Sequence, residues 1–218
     1  TTAKVDIQDN TGHDDMISSI DDQTATRLSG KIEAGGTITG LTVSDAAGHT
    51  VTVPVGSITV AADGTWSTTV SVTGLDDGTL TTTLTANDAL GNALSAAEID
   101  KIEKDTVTTV TLNAIPDTAN NHPALSGTGE AGSTITIKDG TTTLGTALVD
   151  TNGKWSFTPT TALGDGSHTI TVTATDPYGN VNDTTGSPAT GTDTFVVDTQ
   201  TTAKVDIQDN TGHDDMIS

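Results

Sequence analysis

Eighteen residues at the start of the chain recur at its end. Residues 1–18 and 201–218 both read TTAKVDIQDNTGHDDMIS, so one unit begins again at a distance of 200 residues. Tandem copies of a unit are typical of repeat architectures, in which each copy folds as a module and packs against its neighbours along the chain. The sequence therefore predicts a piece of a longer tandem array.

A weaker repeat lies inside the unit. Four motifs recur in the same order: LSGKIEAGGTIT with LSGTGEAGSTIT, DGTWS with NGKWS, LDDGTLTTTLTANDALGN with LGDGSHTITVTATDPYGN, and KDT with VDT. Each half has the length of an ordinary domain. We expect two homologous domains, residues 1–104 and 105–198, with residues 199–218 beginning the next copy of the first.

The acidic residues are of one kind. Only four of the 29 are Glu, so 25 are Asp, a residue that favours turns over helices. The abundant Thr and Val suit strands. Disorder is the competing interpretation, because the net charge is −21 and hydrophobic residues make up 32%. The regular period-two alternation of HTITVTAT at residues 168–175 argues for an all-β chain with acidic loops instead.

Seven short strands separated by Gly, Asp and Asn turns are predicted in the second domain, near residues 107–114, 125–129, 134–138, 143–149, 155–158, 168–175 and 194–197. Seven such strands fit an immunoglobulin-like Greek-key β-sandwich. Trp66 and Trp155 occupy equivalent positions after a turn, and we expect each to anchor the core of its domain.

Composition excludes several functions. No apolar run approaches the ~18–20 residues of a membrane span, so no membrane insertion is expected. The charge of −21 disfavours nucleic acid and anionic membranes and favours cations. Aromatic residues make up 2%, and neither G-x-S-x-G nor a P-loop is present, which argues against an enzyme. The chain has no Cys for disulfides or zinc–thiolate sites.

Taken in order, the repeated motifs and the closing VDT resemble the bacterial immunoglobulin-like repeats of giant RTX-type surface adhesins, which are exported by type I secretion. The resemblance implies two tandem immunoglobulin-like domains arranged end to end, at the bacterial cell surface. It also implies a non-catalytic stalk that projects an adhesive region for cell adhesion and biofilm formation, with calcium at the domain junctions. The first domain departs from the pattern in a longer 9–24 segment and in residues 51–62.

In an immunoglobulin-like topology, acidic loops of both domains meet around the linker residue Asp105. The loops of the second domain carry Glu130, Asp150 with Asn152, and Asp176 with Asn180. Those of the first domain carry Asp21, Asp22, Asp45, Asp76 and Asp77. Calcium takes six to eight oxygen ligands, and a divalent cation relieves the repulsion between packed carboxylates. We predict a calcium site built from Asp105, Glu130 and Asp176, with Asp77 or Asp76 from the preceding domain.

Equivalent sites are expected at the outer ends, with Asp165 and Asp198 serving the next junction and Glu33, Asp63 and Asp88 the previous one. The alternative for each Asp is a turn-forming role without any metal. The 9–15 segment lacks the spacing of an EF-hand loop. A separate ion near Asp14, Asp15, Asp21 and Asp22 remains a further hypothesis.

Two other functions stay open. One is a ligand-binding module for a sugar or a host protein, although the exposed aromatic and arginine anchors of such sites are scarce here. The other is homotypic assembly through calcium-bridged repeats. For the stalk, the expected partners are calcium ions and the neighbouring repeats of the same chain, and the molecule is expected to be a monomer.

Overall fold

Two hydrophobic cores divide the chain in the computed structural model, which describes residues 2–9, 15–182 and 191–201. The first core contains buried side chains between Val5 and Ile102, and the second contains those between Val110 and Val197. We call the two parts domain 1 and domain 2. None of the helical structure in the described residues is long and apolar enough to span a membrane.

Domain 1 folds as two facing sheets. Its described strands are β1 (Ala3–Gln8), β2 (Met16–Ile17), β3 (Thr26–Ile32), β4 (Thr37–Ser44), β5 (Thr50–Thr52), β6 (Thr59–Val60), β7 (Thr65–Val70), β8 (Gly78–Asn87) and β9 (Glu98–Lys104), with a 3₁₀ turn at Val55–Ser57. One sheet has the order β1-β3-β7-β6 and the other β2-β9-β8-β4-β5. The pairing of β2 with β9 is parallel and the other pairs are antiparallel.

Domain 2 repeats this plan with fewer regular strands. Its described strands are β10 (Leu125–Thr128), β11 (Thr134–Asp139), β12 (Thr142–Leu148), β13 (Lys154–Phe157), β14 (Gly166–Thr175) and β15 (Thr192–Val197). They form a β10-β13 pair and a four-stranded sheet of order β12-β11-β14-β15. The predicted fold class, all-β with immunoglobulin-like sandwiches, is confirmed.

Hydrophobic alternation places the cores between the sheets. Ile170, Val172 and Ala174 of β14 are fully buried, as their spacing predicts, because alternate strand residues face the same side of a sheet. The prediction that both tryptophans are core anchors is also confirmed, since Trp66 is 4% and Trp155 3% exposed.

The predicted strand over residues 107–114 is wrong as a regular strand. This segment keeps one isolated bridge, Val110 to Gly129, and single bonds to β10. The Thr111 carbonyl accepts the Trp155 indole N–H at 3.1 Å, and the Thr128 amide donates to the Thr111 hydroxyl at 2.9 Å. Side chains therefore occupy the groups that a continuous ladder would pair.

Candidate metal centre

Three carboxylates meet where domain 1 joins domain 2. One oxygen atom each from Asp105, Glu130 and Asp176 lies within 4.8 Å of the other two. Asp105 follows β9 in the linker, Glu130 lies in the turn between β10 and β11, and Asp176 follows β14 directly. The structure thus brings together the three residues that the sequence predicts as the centre of a calcium site. We call them the junction carboxylates.

A tight turn fixes one of these carboxylates. Asp176 Oδ1 accepts the backbone amides of Tyr178 and Asn180, both at 2.9 Å, and its Oδ2 accepts the Asn180 side-chain amide at 2.6 Å. Gly179 has φ of 89°, a left-handed conformation that favours glycine. The DPYGN sequence therefore holds the Asp176 side chain, on a residue only 5% exposed, in one orientation.

The junction carboxylates repel one another in a partly buried place. Burial raises the pKa of Asp105, and the negative charges of Asp176 and Asp77 raise it further. Burial also raises the pKa of Glu130, to which the charges of Asp105 and Asp176 add. Both shifts have the same physical cause, because burial and nearby negative charges each disfavour the ionised form of a carboxyl group. Hard oxygen donors in this state fit a divalent cation such as Ca²⁺.

Asp77 lies on the flank of the linker. Its carboxylate accepts the Thr106 amide at 3.0 Å and the Thr106 hydroxyl at 2.9 Å. Lys104 Nζ lies 3.6 Å from Asp77 Oδ1 and also donates to the Leu75 carbonyl at 2.5 Å. Asp77 therefore binds the linker to domain 1 and places a negative charge next to the junction carboxylates.

Asp76 belongs to a different group. One atom each from Asp45, His49 and Asp76 lies within 4.8 Å of the others. His49 Nδ1 is 2.7 Å from Asp45 Oδ2 and 3.6 Å from Asp76 Oδ2. The Asp76 backbone amide, followed by the bonds from His49, lowers the pKa of Asp45 to about 2, and Asp45 in turn raises the pKa of His49. Asp76 and Asp77 are thus neighbours in one loop but face different partners. The sequence pattern does not predict the position of His49 beside Asp45 and Asp76.

Two other candidates form turns. Asp150 Oδ1 accepts the amides of Lys154 at 2.8 Å and Asn152 at 2.9 Å, and the Lys154 amide is the main cause of its lowered pKa. Asp63 Oδ1 accepts the Thr65 hydroxyl at 2.7 Å, which lowers its pKa in the same way. Neither residue is among the junction carboxylates, and the turn-forming alternative describes both.

The far end of domain 2 repeats the linker arrangement. Asp165 Oδ1 accepts the Thr199 hydroxyl at 2.7 Å and the Thr199 amide at 3.0 Å, as Asp77 does with Thr106, and the hydroxyl bond lowers the pKa of Asp165. Asp198 Oδ1 accepts the Gln200 amide at 3.1 Å, and Asp105 Oδ1 accepts the Val107 amide at 3.4 Å. Asp165 and Asp198 thus occupy the positions of Asp77 and Asp105.

The near end of domain 1 carries the other half of the arrangement. Asp88 Oδ1 accepts the amides of Leu90 at 2.9 Å and Asn92 at 2.8 Å, and the Asn92 side chain donates to Asp88 Oδ2 at 2.8 Å. The same hydrogen-bonding pattern forms the turn around Asp176 in domain 2. Glu33 follows β3 at the position that corresponds to Glu130.

Asn180, which the sequence places in the same loop as Asp176 without assigning it a role, makes the contact across the junction. It is fully buried, accepts the Ser19 amide of domain 1 at 2.7 Å and donates to the Asp105 carbonyl at 2.8 Å. The GN dipeptide that recurs at Gly91–Asn92 and Gly179–Asn180 was the available signal, although it says nothing about the partner.

The hypothesis of a separate ion near residues 14–22 gains no convergent site in the described residues. Asp21 Oδ2 accepts the Ser18 amide at 2.8 Å and the Ser18 hydroxyl at 3.0 Å, and Asp22 accepts the Thr24 amide at 3.0 Å. Asp15 has φ of 60°. Asp14 lies outside the described residues.

Comparison with known proteins agrees with this description. Residues 101–199 match the family of bacterial Ig-like domains, and the resemblance to bacterial immunoglobulin-like repeats that the sequence predicts is confirmed. None of the curated protein sequences matches the chain significantly.

The solved structures to which the chain is similar include three from bacterial adhesins, and the chain covers 48–65% of the length of these three. A tetra-tandem repeat in the extending region of a large adhesion protein is 27% identical over 90% of this chain and 49% of that chain, with a TM-score of 0.36. A Ca²⁺-stabilised adhesin of an ice-binding Antarctic bacterium is 28% identical over 90% and 48%, with a TM-score of 0.44. A structure from a 1.5-MDa bacterial ice-binding adhesin is 26% identical over 90% and 65%, with a TM-score of 0.41.

Proposed function

We propose that this chain is a non-catalytic stalk segment of a large bacterial surface adhesin, stiffened by calcium at its domain junctions. Its modules are residues 1–104 and 105–198, and residues 199–218, of which 202–218 lie outside the described part, begin the next copy. The tandem copy and the match to bacterial Ig-like domains support a spacer, because duplication of a unit changes length above all. Type I export, extracellular display, cell adhesion and biofilm formation belong to this proposal.

The convergence of the junction carboxylates is the observation that carries the calcium role. Asp105 is bound to domain 1, since its amide donates to the Ile17 carbonyl at 2.9 Å. Glu130 and Asp176 belong to domain 2. A cation held by all three connects the domains and removes the repulsion between them. When bound, the ion supplies positive charge and a crosslink, while the chain supplies the rigid turn and the anchored linker.

Calcium titration of matched variants tests the site. Extracellular calcium modules bind at about 10⁻⁴–10⁻³ M, and we expect calorimetry to give a dissociation constant in that range. Asp176→Asn and Asp105→Asn are expected to weaken binding at least tenfold. Asp88→Asn changes the same turn at the other end and serves as the control. Equal affinity in Asp176→Asn and Asp88→Asn would contradict the assignment.

Small-angle X-ray scattering tests the stalk. In millimolar calcium we expect a longer and stiffer monomer than after chelation, because the cation removes a bending point. An unchanged particle would remove the cation from the mechanism and leave the spacer role to the repeats. A calcium-dependent doubling of mass would instead support homotypic assembly.

A further inference from the structure

A direct contact between the two domains accompanies the junction carboxylates. The loop after β2 in domain 1 donates the Ser19 amide to Asn180 Oδ1 at 2.7 Å. The next residue, Ile20, lies against Gly179, where an added Cβ would come within 3.3 Å of the Ile20 side chain. Asn180 continues the contact to the Asp105 carbonyl at 2.8 Å. This docking contact needs no cation, because protein groups alone form it.

The corresponding loop of domain 2 is too short for the same contact. The linker amide binds Ile17 in domain 1 and Thr118 in domain 2, so these two residues occupy equivalent positions. Ten residues separate Ile17 from Leu28, whereas six separate Thr118 from Leu125. The four additional residues of domain 1 belong to the loop that carries Ser19 and Ile20.

The shorter loop of domain 2, residues 119–124, forms hydrogen bonds within its own domain. The Leu163 amide donates to the Asn121 carbonyl at 2.9 Å, and His122 Nδ1 lies 2.7 Å from the Pro159 carbonyl. The turn that would receive a docking loop in the next unit, residues 88–92, has the same conformation as residues 176–180, and its Leu90 is 89% exposed. The receiving turn is thus repeated while the docking loop is not.

A fixed positive charge distinguishes the two junctions as well. Lys104, 5% exposed, lies 3.6 Å from Asp77 at the end of domain 1. The corresponding residue at the end of domain 2 is Val197, which is fully buried, while Asp165 and Asp198 repeat the acidic positions. The junction between units therefore carries the acidic groups without this lysine.

We propose that the array alternates two kinds of junction, one inside each unit held by the docking contact and Lys104, and one between units that depends on the cation alone. At low calcium the stalk then bends at every second junction, once per 200 residues. The role of the cation in this proposal rests on the proposed function, whereas the role of the docking contact does not. The interaction surface is the 176–180 turn of domain 2, and its partner is the 18–25 loop of domain 1.

Distance measurements between spin labels test the alternation. The chain has no Cys, so Thr39→Cys and Lys138→Cys introduce two unique labelling positions on the exposed faces of β4 and β11. In a chain extended to complete the copy that begins at Thr201, Lys138→Cys and the same change at the next copy of Thr39 report on the junction between units. After chelation of calcium, we expect the distribution of distances between the two labels to be at least twofold wider for the pair between units than for the pair within one unit. Addition of calcium should narrow the distribution between units.

Matched variants separate the docking contact from the cation. In chelator, Asn180→Ala is expected to widen the distribution within the unit at least twofold. Asn92→Ala removes the equivalent bond to Asp88 away from the junction and should leave it unchanged. Ile20→Ser, at a side chain 56% exposed, weakens the contact without disturbing either core.

Equal widths for Asn180→Ala and Asn92→Ala, or equal widths at both junctions in chelator, would overturn the alternation. Failure of the calcium proposal has a different signature, because calcium would then leave both distributions unchanged while the Asn180→Ala effect persisted.

Discussion

His168 shows how one side chain can connect two parts of a sandwich. Its Nε2 lies 2.8 Å from the Gly164 carbonyl and its Nδ1 lies 2.6 Å from Asp139 Oδ2. A carbonyl and a carboxylate both accept, so both ring nitrogens donate and the imidazolium is the form that fits. The Gly164 bond and then the Asp139 carboxylate raise the pKa of His168.

This raised pKa predicts a pH dependence of stability. The stabilisation is complete below the unfolded pKa of about 6.5 and is lost as pH rises through the folded value. We expect the free energy of unfolding to fall between pH 6 and pH 8 more steeply in the wild type than in His168→Asn. Denaturant unfolding at both pH values measures this. His49 shifts in the same direction, so the difference between the two proteins is the relevant quantity, and parallel pH profiles would contradict the prediction.

Gly127 is required by close packing. A Cβ at this position would lie 1.9 Å from the Thr111 carbonyl oxygen and 2.9 Å from the Trp155 ring. We expect Gly127→Ala to lower the free energy of unfolding by about 2–3 kcal/mol, because backbone cannot move aside cheaply. Gly164→Ala is the control, since nothing lies within 4 Å of the added atom. Thermal unfolding of both variants compares them, and equal stability would refute the packing argument.

At the scale of elements, an aspartate on the last strand of each domain binds the first segment. Asp100 Oδ2 of β9 accepts the Ile7 amide at 2.9 Å, and Asp193 Oδ2 of β15 accepts the Ile115 amide at 2.6 Å. Both bonds lie where the chain leaves one sheet for the other, so the local ladder leaves an amide available. A side-chain acceptor satisfies the amide at the crossover.

Removing this acceptor should loosen the crossover of domain 2. We expect Asp193→Ala to lower the free energy of unfolding by about 1–2 kcal/mol, because a charge-assisted bond to a partly buried amide is lost. Thr194→Ala, at an exposed neighbour on the same strand, should change it by less than about 0.5 kcal/mol. Denaturant unfolding distinguishes them, and hydrogen exchange of the Ile115 amide should rise only in Asp193→Ala.

At the scale of the whole molecule, we expect the junction carboxylates to couple calcium binding to pH. Asp105 and Glu130 have raised pKa values. Protons therefore compete with the cation at pH values above those at which ordinary carboxyl groups are protonated. We expect the apparent calcium affinity to fall progressively as pH is lowered from 7 to 4.5. Calorimetric titration at several pH values measures it. Without calcium, the stability of the folded junction has the opposite pH dependence and increases as pH falls, because a carboxyl group with a raised pKa binds its proton more tightly in the folded state. A calcium affinity independent of pH would contradict this coupling.

Much of the architecture follows from local patterns. The motif repeats predicted homologous halves, and the alternation around Ile170 predicted a strand with one buried face, which the structure has. The expectation for residues 107–114 was wrong, because the Trp155 indole and the Thr111 hydroxyl compete with the ladder. Periodicity reports burial and does not report such competition.

The sequence by itself determined the β-sandwich class, the tandem organisation and the acidic character of the junction, since composition and period-two alternation are properties of the chain alone. The sequence also predicted the grouping of Asp105, Glu130 and Asp176, but only the tertiary structure decided which other side chains face this group. Asp76 and Asp77 are neighbours, yet one faces Asp45 and His49 while the other holds the linker. Asn180 meets Ser19 across 161 positions of sequence. Convergence of this kind depends on how separate loops are brought together in space, which no local pattern records.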